Sequence, residues 1–394
     1  MKKQKQSKIV HYPANYHSPS KLRAWLIGRP LPTADAVHQA IGKRIGLAIF
    51  ASDALSSTAY ATQEILVILA AAGSIAFGYA FPIAIVIVGL LTIVTISYEQ
   101  TIHAYPDGGG AYVVSRDNLG QLAAQVAGAA LLTDYILTVS VSVSAGLAQV
   151  VSALPSLAEY RVHLAVGIVM LVMLINLRGA KESGGIFAIP TYFYLAMIFL
   201  TVIIGFVRYF SGNLGSLIDP PHFEVEAVQA ITLFLVLHAF SSGTTALTGV
   251  EAISTGITAF KEPRSRNAGK TLIWMSSILG ILFLSITFLS GEIGAVPSEI
   301  ETVISQLART ILGGRGVLYL GVIGATTLIL FMAANTAFAG FPRLSAMQAS
   351  DRYLPHQLSY RGSRLVYSWG IGTLSLIAAL IIILIQANVS ALIP

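Results

Sequence analysis

Asp53, Asp134 and Glu251 are acidic residues that stand inside otherwise apolar stretches of this sequence. A carboxylate at the centre of a bilayer-spanning helix costs on the order of 2.5–3.5 kcal/mol on insertion scales, so such residues are read first as functional. Each has oxygen-bearing side chains near it at helical spacing. Asp134, Thr138 and Ser142 are spaced four apart and share one helix face, with Tyr135 beside them. Thr248 precedes Glu251 by three residues, and Tyr60 follows Asp53 by seven. Carboxylate, hydroxyl and freed carbonyl oxygens form a hard, oxygen-only set that suits a desolvated alkali cation and not an anion. A cationic amine or polyamine is tolerated by the same set, whereas a substrate carboxylate would be repelled at Asp53. A buried carboxyl group can hold a proton or face a cation, and competition between the two is a physical basis for coupling. Glu251 is the expected proton carrier and Asp53 the main counter-charge of the cation. The plainer alternatives are that neighbouring helices satisfy Asp134 and that Glu251 pairs with a lysine such as Lys261.

The elements that must hold these residues are membrane helices. The chain has 394 residues, of which 55% are hydrophobic and 11% charged, and its mean hydropathy is +0.74. No soluble core of this size needs so much apolar surface. Nine apolar segments are read, at roughly 44–72, 78–98, 119–152, 163–178, 184–208, 228–260, 271–291, 315–338 and 365–386, of which 163–178 is tight. Helices are expected throughout, because a spanning segment must satisfy its own backbone. Cysteine is absent, which excludes disulfides and thiolate metal sites. His103, His163 and His238 have no metal-ligand spacing, and no segment gathers a nucleophile, a base and oxyanion donors, so an enzyme is not expected.

The net charge of +6 is a matter of topology rather than of nucleic-acid binding. With the N-terminus inside, twenty Lys and Arg fall on the inner side and four on the outer: Arg161, Arg208, Arg309 and Arg315. That bias predicts a multi-pass protein of the cell membrane with a cytoplasmic N-terminus. The basic stretch 1–43 reads as a cytosolic tail, since no short apolar core with a cleavage site follows MKKQKQSKIV. Residues 44–394 read as the transmembrane domain, with a first repeat at 44–210 and a partial second repeat at 228–394.

Two spans carry polar interruptions: the first at Ser52–Thr58, the sixth at SSGTTALTG, 241–249. Matched interruptions five spans apart point to an inverted-repeat transporter with its site at the midplane. Packing of small residues between helices explains the serines equally well, but not the acids. Asn335 is expected to hydrogen-bond between helices.

Six stretches resemble the KimA-type potassium importers, a KUP-related branch of the amino acid–polyamine–organocation superfamily. They are SDALSSTAYATQEILVIL at 52–69, HAYPDGGGAYVVSRDNLG at 103–120, DYILTVSVSVSAG at 134–146, NLRGAKES at 176–183, AFSSGTTALTGVEAIS at 239–254 and AANTAFAGFP at 333–342. The resemblance implies an all-α, LeuT-like fold of inverted repeats and proton-driven potassium uptake, with potassium as substrate and no cofactor. It also implies that the potassium-site residues are Asp53, Tyr60, Asp134, Tyr135, Thr138, Ser142, Thr248 and Glu251. The PDGGGAY loop, 106–112, matches a superfamily signature and is given a structural role, in which Tyr112 packs. Family members continue through a tenth span to a cytosolic region that supports homodimers and is linked to cyclic di-AMP. Nine spans are counted here, so the second repeat is expected to lack its last helix. The alternatives to potassium symport are an amino acid or polyamine permease and a non-transporting fragment.

Overall fold

The structure is a computed structural model that describes residues 42–108, 110–178, 184–221, 230–362 and 366–393, with the side chains of 184–187 left aside. The basic tail, apart from its last residues, and the NLRGAKES stretch beyond Arg178 lie outside the described residues. Among the described residues every regular element is helical. The helices are α1 (Lys43–Ser56), α2 (Ala61–Ala70), α3 (Ala80–Ala104), α4 (Gly110–Leu119), α5 (Gln121–Ala153), α6 (Arg161–Leu177) and α7 (Gly184–Phe210). They continue as α8 (Leu233–Gly243), α9 (Ala252–Thr255), α10 (Arg264–Ile293), α11 (Val303–Leu312), α12 (Val317–Ser350) and α13 (Ser368–Leu384).

Among the described residues, seven helical stretches are long and apolar enough to cross a membrane, with mean hydropathy from 1.4 to 2.5. They contain α3, α5, α6, α7, α8 with α9, α10 and α12. The first expected span is split into α1 and α2, and the ninth is the 17-residue α13. Large apolar side chains cover the outside of these helices, including Ile85, Val86 and Ile93 on α3, Leu171 and Ile175 on α6, and Ile203 and Val207 on α7. In water such a continuous apolar exterior would drive association, whereas in a bilayer it is solvated.

The helices pack into two apolar cores. One is built from α1, α2, α3, α7, α8, α10, α11 and the first half of α12. The other joins α4, α5, α6, the second half of α12 and α13. The long α12 therefore runs from one core into the other, lying against α5, α1 and α7 on its way. α7 also braces α1 through side-chain hydroxyls: Thr191 donates to the Ala48 carbonyl at 2.8 Å, and Tyr194 bonds Thr58 just past the end of α1.

α4 and α11 are ten-residue helices of matching placement, α4 following α3 and α11 following α10. Tyr112 on α4 is fully buried, as the sequence leads one to expect, and donates to Asp351 at 2.6 Å. Thr302 caps α11 by accepting from the Ser305 N–H at 3.2 Å. Arg309 on α11 is buried and pairs with buried Glu301 at 2.8 Å. Asn176 on α6 donates to Asn335 on α12 at 2.7 Å, the interhelical bond expected for that asparagine.

Candidate functional site

The first interruption lies slightly later than the sequence places it. α1 continues through Asp53 to Ser56, and the chain then makes a 3-10 turn over Ser57–Ala59 before α2 starts at Ala61. Asp53 is therefore in the last turn of a helix, not in unwound chain. The reason is that short hydroxyl side chains can close a helix end by bonding to their own backbone. Ser56 donates to the Asp53 carbonyl at 2.7 Å and Thr58 to the Leu55 carbonyl at 2.7 Å. Ser57 donates to the Ala54 carbonyl and also, at 3.0 Å, to the Ala246 carbonyl of the other interruption.

The second interruption is longer. α8 ends at Gly243, a 3-10 turn covers Thr244–Leu247, and the chain unwinds through Thr248–Glu251 before the single turn α9. Thr244, Thr245 and Thr248 donate to the carbonyls three residues before them, at 2.6, 2.8 and 3.0 Å. Hydroxyls thus take up backbone groups released at both breaks, which is how a broken helix is tolerated at membrane depth.

The breaks face each other at Gly249. Its φ is +80°, a conformation that side-chain-bearing residues avoid, and a Cβ there would lie 2.7 Å from the Ala54 nitrogen and 2.8 Å from Asp53 Cγ. The Asp53 carboxyl is thus held against the unwound backbone of the sixth expected span. Asp53 is only 6% exposed. Glu251 lies against the backbone N–H groups of Gly249 and of its own residue. Asp53, Asp134 and Glu251 are near enough to one another for their charges to interact. Tyr60, at the junction between the 3-10 turn and α2, is next to Thr248 and senses Asp53 and Asp134. Tyr135 senses all three acids, and its ring is so close to Gly340 of α12 that a Cβ there would overlap it.

Six of the eight expected residues are therefore brought together: Asp53, Tyr60, Asp134, Tyr135, Thr248 and Glu251. Thr138 and Ser142 continue the Asp134 face along α5, half-buried and buried respectively. Glu251 is not paired with Lys261 among the ion pairs of the described residues. Tyr60 belongs to the first apolar core and Tyr135 to the second, so the cluster sits on the seam between them. Two neighbours were missed from sequence. Thr336 on α12 lies against Asp53, and Tyr98 on α3 is within reach of Glu251 and Asp134. Thr336 falls inside the AANTAFAGFP stretch, which was the one signal for it, while Tyr98 is an isolated tyrosine in an apolar helix.

Chemically, the cluster gathers three carboxylates and several hydroxyls; among the described residues no basic side chain makes an ion pair with the three acids, and Arg343 comes within range of Tyr135, so the cluster presents a negative potential to a mobile cation. Among the described residues no three of His, Cys, Asp and Glu come together so as to hold a metal ion by themselves, so a cation here would need the hydroxyl and carbonyl oxygens as well.

Comparison with known proteins agrees with a transport role. The family described as "Amino acid permease" matches residues 40–394. The chain is 45% identical over 382 residues to "Potassium transporter KimA" of Bacillus subtilis (strain 168), covering 96% of this chain and 62% of that protein. It is 29% identical over 208 residues to "Cationic amino acid transporter 6, chloroplastic" of Arabidopsis thaliana, covering 49% of this chain and 33% of the relative. "Cationic amino acid transporter 7, chloroplastic" of the same plant is 26% identical over 235 residues, covering 55% of this chain and 37% of the relative. The chain therefore spans less than two thirds of the length of the curated relatives it matches. With a family match across nearly its whole length, the chain belongs to the amino acid permease family of membrane transporters.

Proposed function

We propose that this chain belongs to a potassium importer of the cell membrane in which the cation is coordinated between the two broken helices and its movement is coupled to a proton. The observation that carries the reading is the contact of Gly249 with Asp53, which sets a carboxylate against an unwound backbone with two further acids in range. Asp53 supplies the main counter-charge, with Tyr60, Asp134, Tyr135, Thr138, Ser142 and Thr248 as oxygen donors. Glu251 takes up or releases a proton as the cation arrives or leaves, because a proton and a cation compete for the same negative site. The 45% identity to a potassium transporter supports the choice of ion.

The same reading takes the nine expected spans as crossing helices in a LeuT-like pair of inverted repeats, with the N-terminus cytoplasmic. It is supported by the two interruptions facing each other and by the matching placement of the ten-residue helices α4 and α11 after α3 and α10. On this topology α4 lies on the cytoplasmic side and α11 on the outer side.

A second reading, transport of a cationic amino acid or polyamine, is favoured by the two plant relatives named for cationic amino acids. Expression in a bacterium lacking its own potassium uptake separates the two. Growth at low potassium, lost in Asp53→Asn, is expected for the importer. Uptake of labelled arginine or spermidine without rescue of growth overturns the potassium reading.

A further inference from the structure

A fourth carboxylate lies outside the cluster. Glu64, on α2, is 1% exposed in an apolar span. Its Oε1 accepts from the Ser390 hydroxyl at 3.1 Å, and among the described residues no basic side chain makes an ion pair with it. An uncompensated charge at such a depth costs several kcal/mol, which one neutral hydroxyl does not return. The group is therefore either neutral, holding a proton, or met by a mobile cation.

Its position suggests which of the two. The Glu64 N–H donates to the Tyr60 carbonyl at 3.0 Å, so Glu64 stands one helical turn beyond Tyr60, on the side of the cluster away from the N-terminus. On that side lies a cavity of about 290 Å³ lined by Gln63, Arg161, Glu299, Thr302, Asn388 and Ser390, among others. Ser390 thus touches both Glu64 and the cavity, and Gln63 is the next residue along the helix. A volume of that size holds an ion with part of its water shell, since a water takes about 30 Å³. Arg161 and Glu299 carry opposite charges on the cavity wall, and Glu64 lies behind that wall, reached through the Ser390 hydroxyl that lines it. The polar groups at hand are carboxylate, hydroxyl and amide oxygens, which suit an alkali cation.

We propose that Glu64 and Ser390 form a second, outer station for a monovalent cation, occupied between the cavity and the Asp53 cluster. The inference rests on the cation reading above. The station gathers the ion and strips part of its water before it reaches Tyr60 and Asp53.

The test uses the purified full chain with rubidium as the probe, in equilibrium binding and in proteoliposome uptake. Wild type should bind two rubidium ions. Asp53→Asn should keep one of them, and Asp53→Asn with Glu64→Gln should keep none. Glu64→Gln alone, whose amide oxygen can still accept from Ser390, should raise the KM for uptake about tenfold, at the low end of what a focusing charge contributes, with kcat nearly unchanged. Glu64→Asp should restore a KM near wild type, which a purely structural role of the glutamate would not require. If wild type binds no rubidium, the potassium reading itself falls and the station with it. If wild type binds one ion that Asp53→Asn abolishes, and Glu64→Gln leaves KM unchanged, only the station is overturned. A Glu64→Gln variant with normal rubidium binding but a shifted pH profile of uptake would make Glu64 a proton site and overturn the cation assignment.

Discussion

Replacing Gly249 by alanine adds one methyl group where the two broken helices meet. The residue has φ +80°, and a non-glycine residue held in left-handed backbone costs roughly 1–2 kcal/mol. The new Cβ would also sit 2.7 Å from the Ala54 nitrogen and 2.8 Å from Asp53 Cγ, against the 3.4 Å at which ordinary contact begins. The first of these is backbone, which cannot swing aside like the end of a long side chain. The breaks must separate, and Asp53 must leave its place against the unwound segment. A displacement approaching an ångström at a reacting or binding centre can cost on the order of a hundredfold in rate. We therefore expect Gly249→Ala to fold and insert, and to lose about a hundredfold in potassium uptake by proteoliposomes. Gly372→Ala on α13, where an added Cβ meets nothing within 4 Å, serves as the matched control and should transport normally. Wild-type uptake by folded Gly249→Ala would refute the claim that the contact between the breaks shapes the site.

Other perturbations probe the frame around the site. Glu301→Gln should destabilise the protein by about 1.5 kcal/mol, because it replaces the buried carboxylate partner of Arg309 by a neutral acceptor while the Asp219 carbonyl at 3.0 Å and its exposed carboxylate at 3.6 Å remain. A detergent melting curve that does not move would contradict this. Tyr112→Phe removes the bond to Asp351 and should cost about 1.5 kcal/mol, the low end for a hydrogen bond to a charged group. Faster amide exchange across α4 and the end of α12 is the expected sign, and unchanged exchange would count against it. Thr336→Val takes away the hydroxyl beside Asp53 at nearly constant volume. It should weaken rubidium binding several-fold without lowering stability, and unaltered binding would show that Thr336 is only a neighbour.

The acids were legible because each breaks an apolar run, and the bilayer makes that costly wherever it occurs. The interruption of the sixth expected span was legible for a similar reason, since Gly243 and Gly249 bracket a run of hydroxyls. The first interruption was placed too early. Its serines and aspartate are poor helix formers in water, yet Ser52 and Ser56 bond carbonyls three residues back and keep α1 wound through Asp53. Composition alone does not tell a hydroxyl that ends a helix from one that prolongs it. α11 was not read because ten residues do not span a bilayer, and its Arg309 counted only as a loop charge although it is buried in an ion pair. Tyr98 is revealed by packing alone, since it faces acids from two other helices; Glu64 breaks the apolar run 44–72 as the other acids break theirs, and packing adds its partner, a serine 326 positions away.

The most direct test of the account is to locate the ion. Thallium can stand in for potassium, and its anomalous scattering marks its position in crystals of the protein. The account predicts a peak within bonding distance of the Asp53 carboxylate, beside Gly249 and Thr248, that disappears in Asp53→Asn. A protein that takes up potassium while its thallium peak lies away from Asp53, or survives that substitution unchanged, would contradict it.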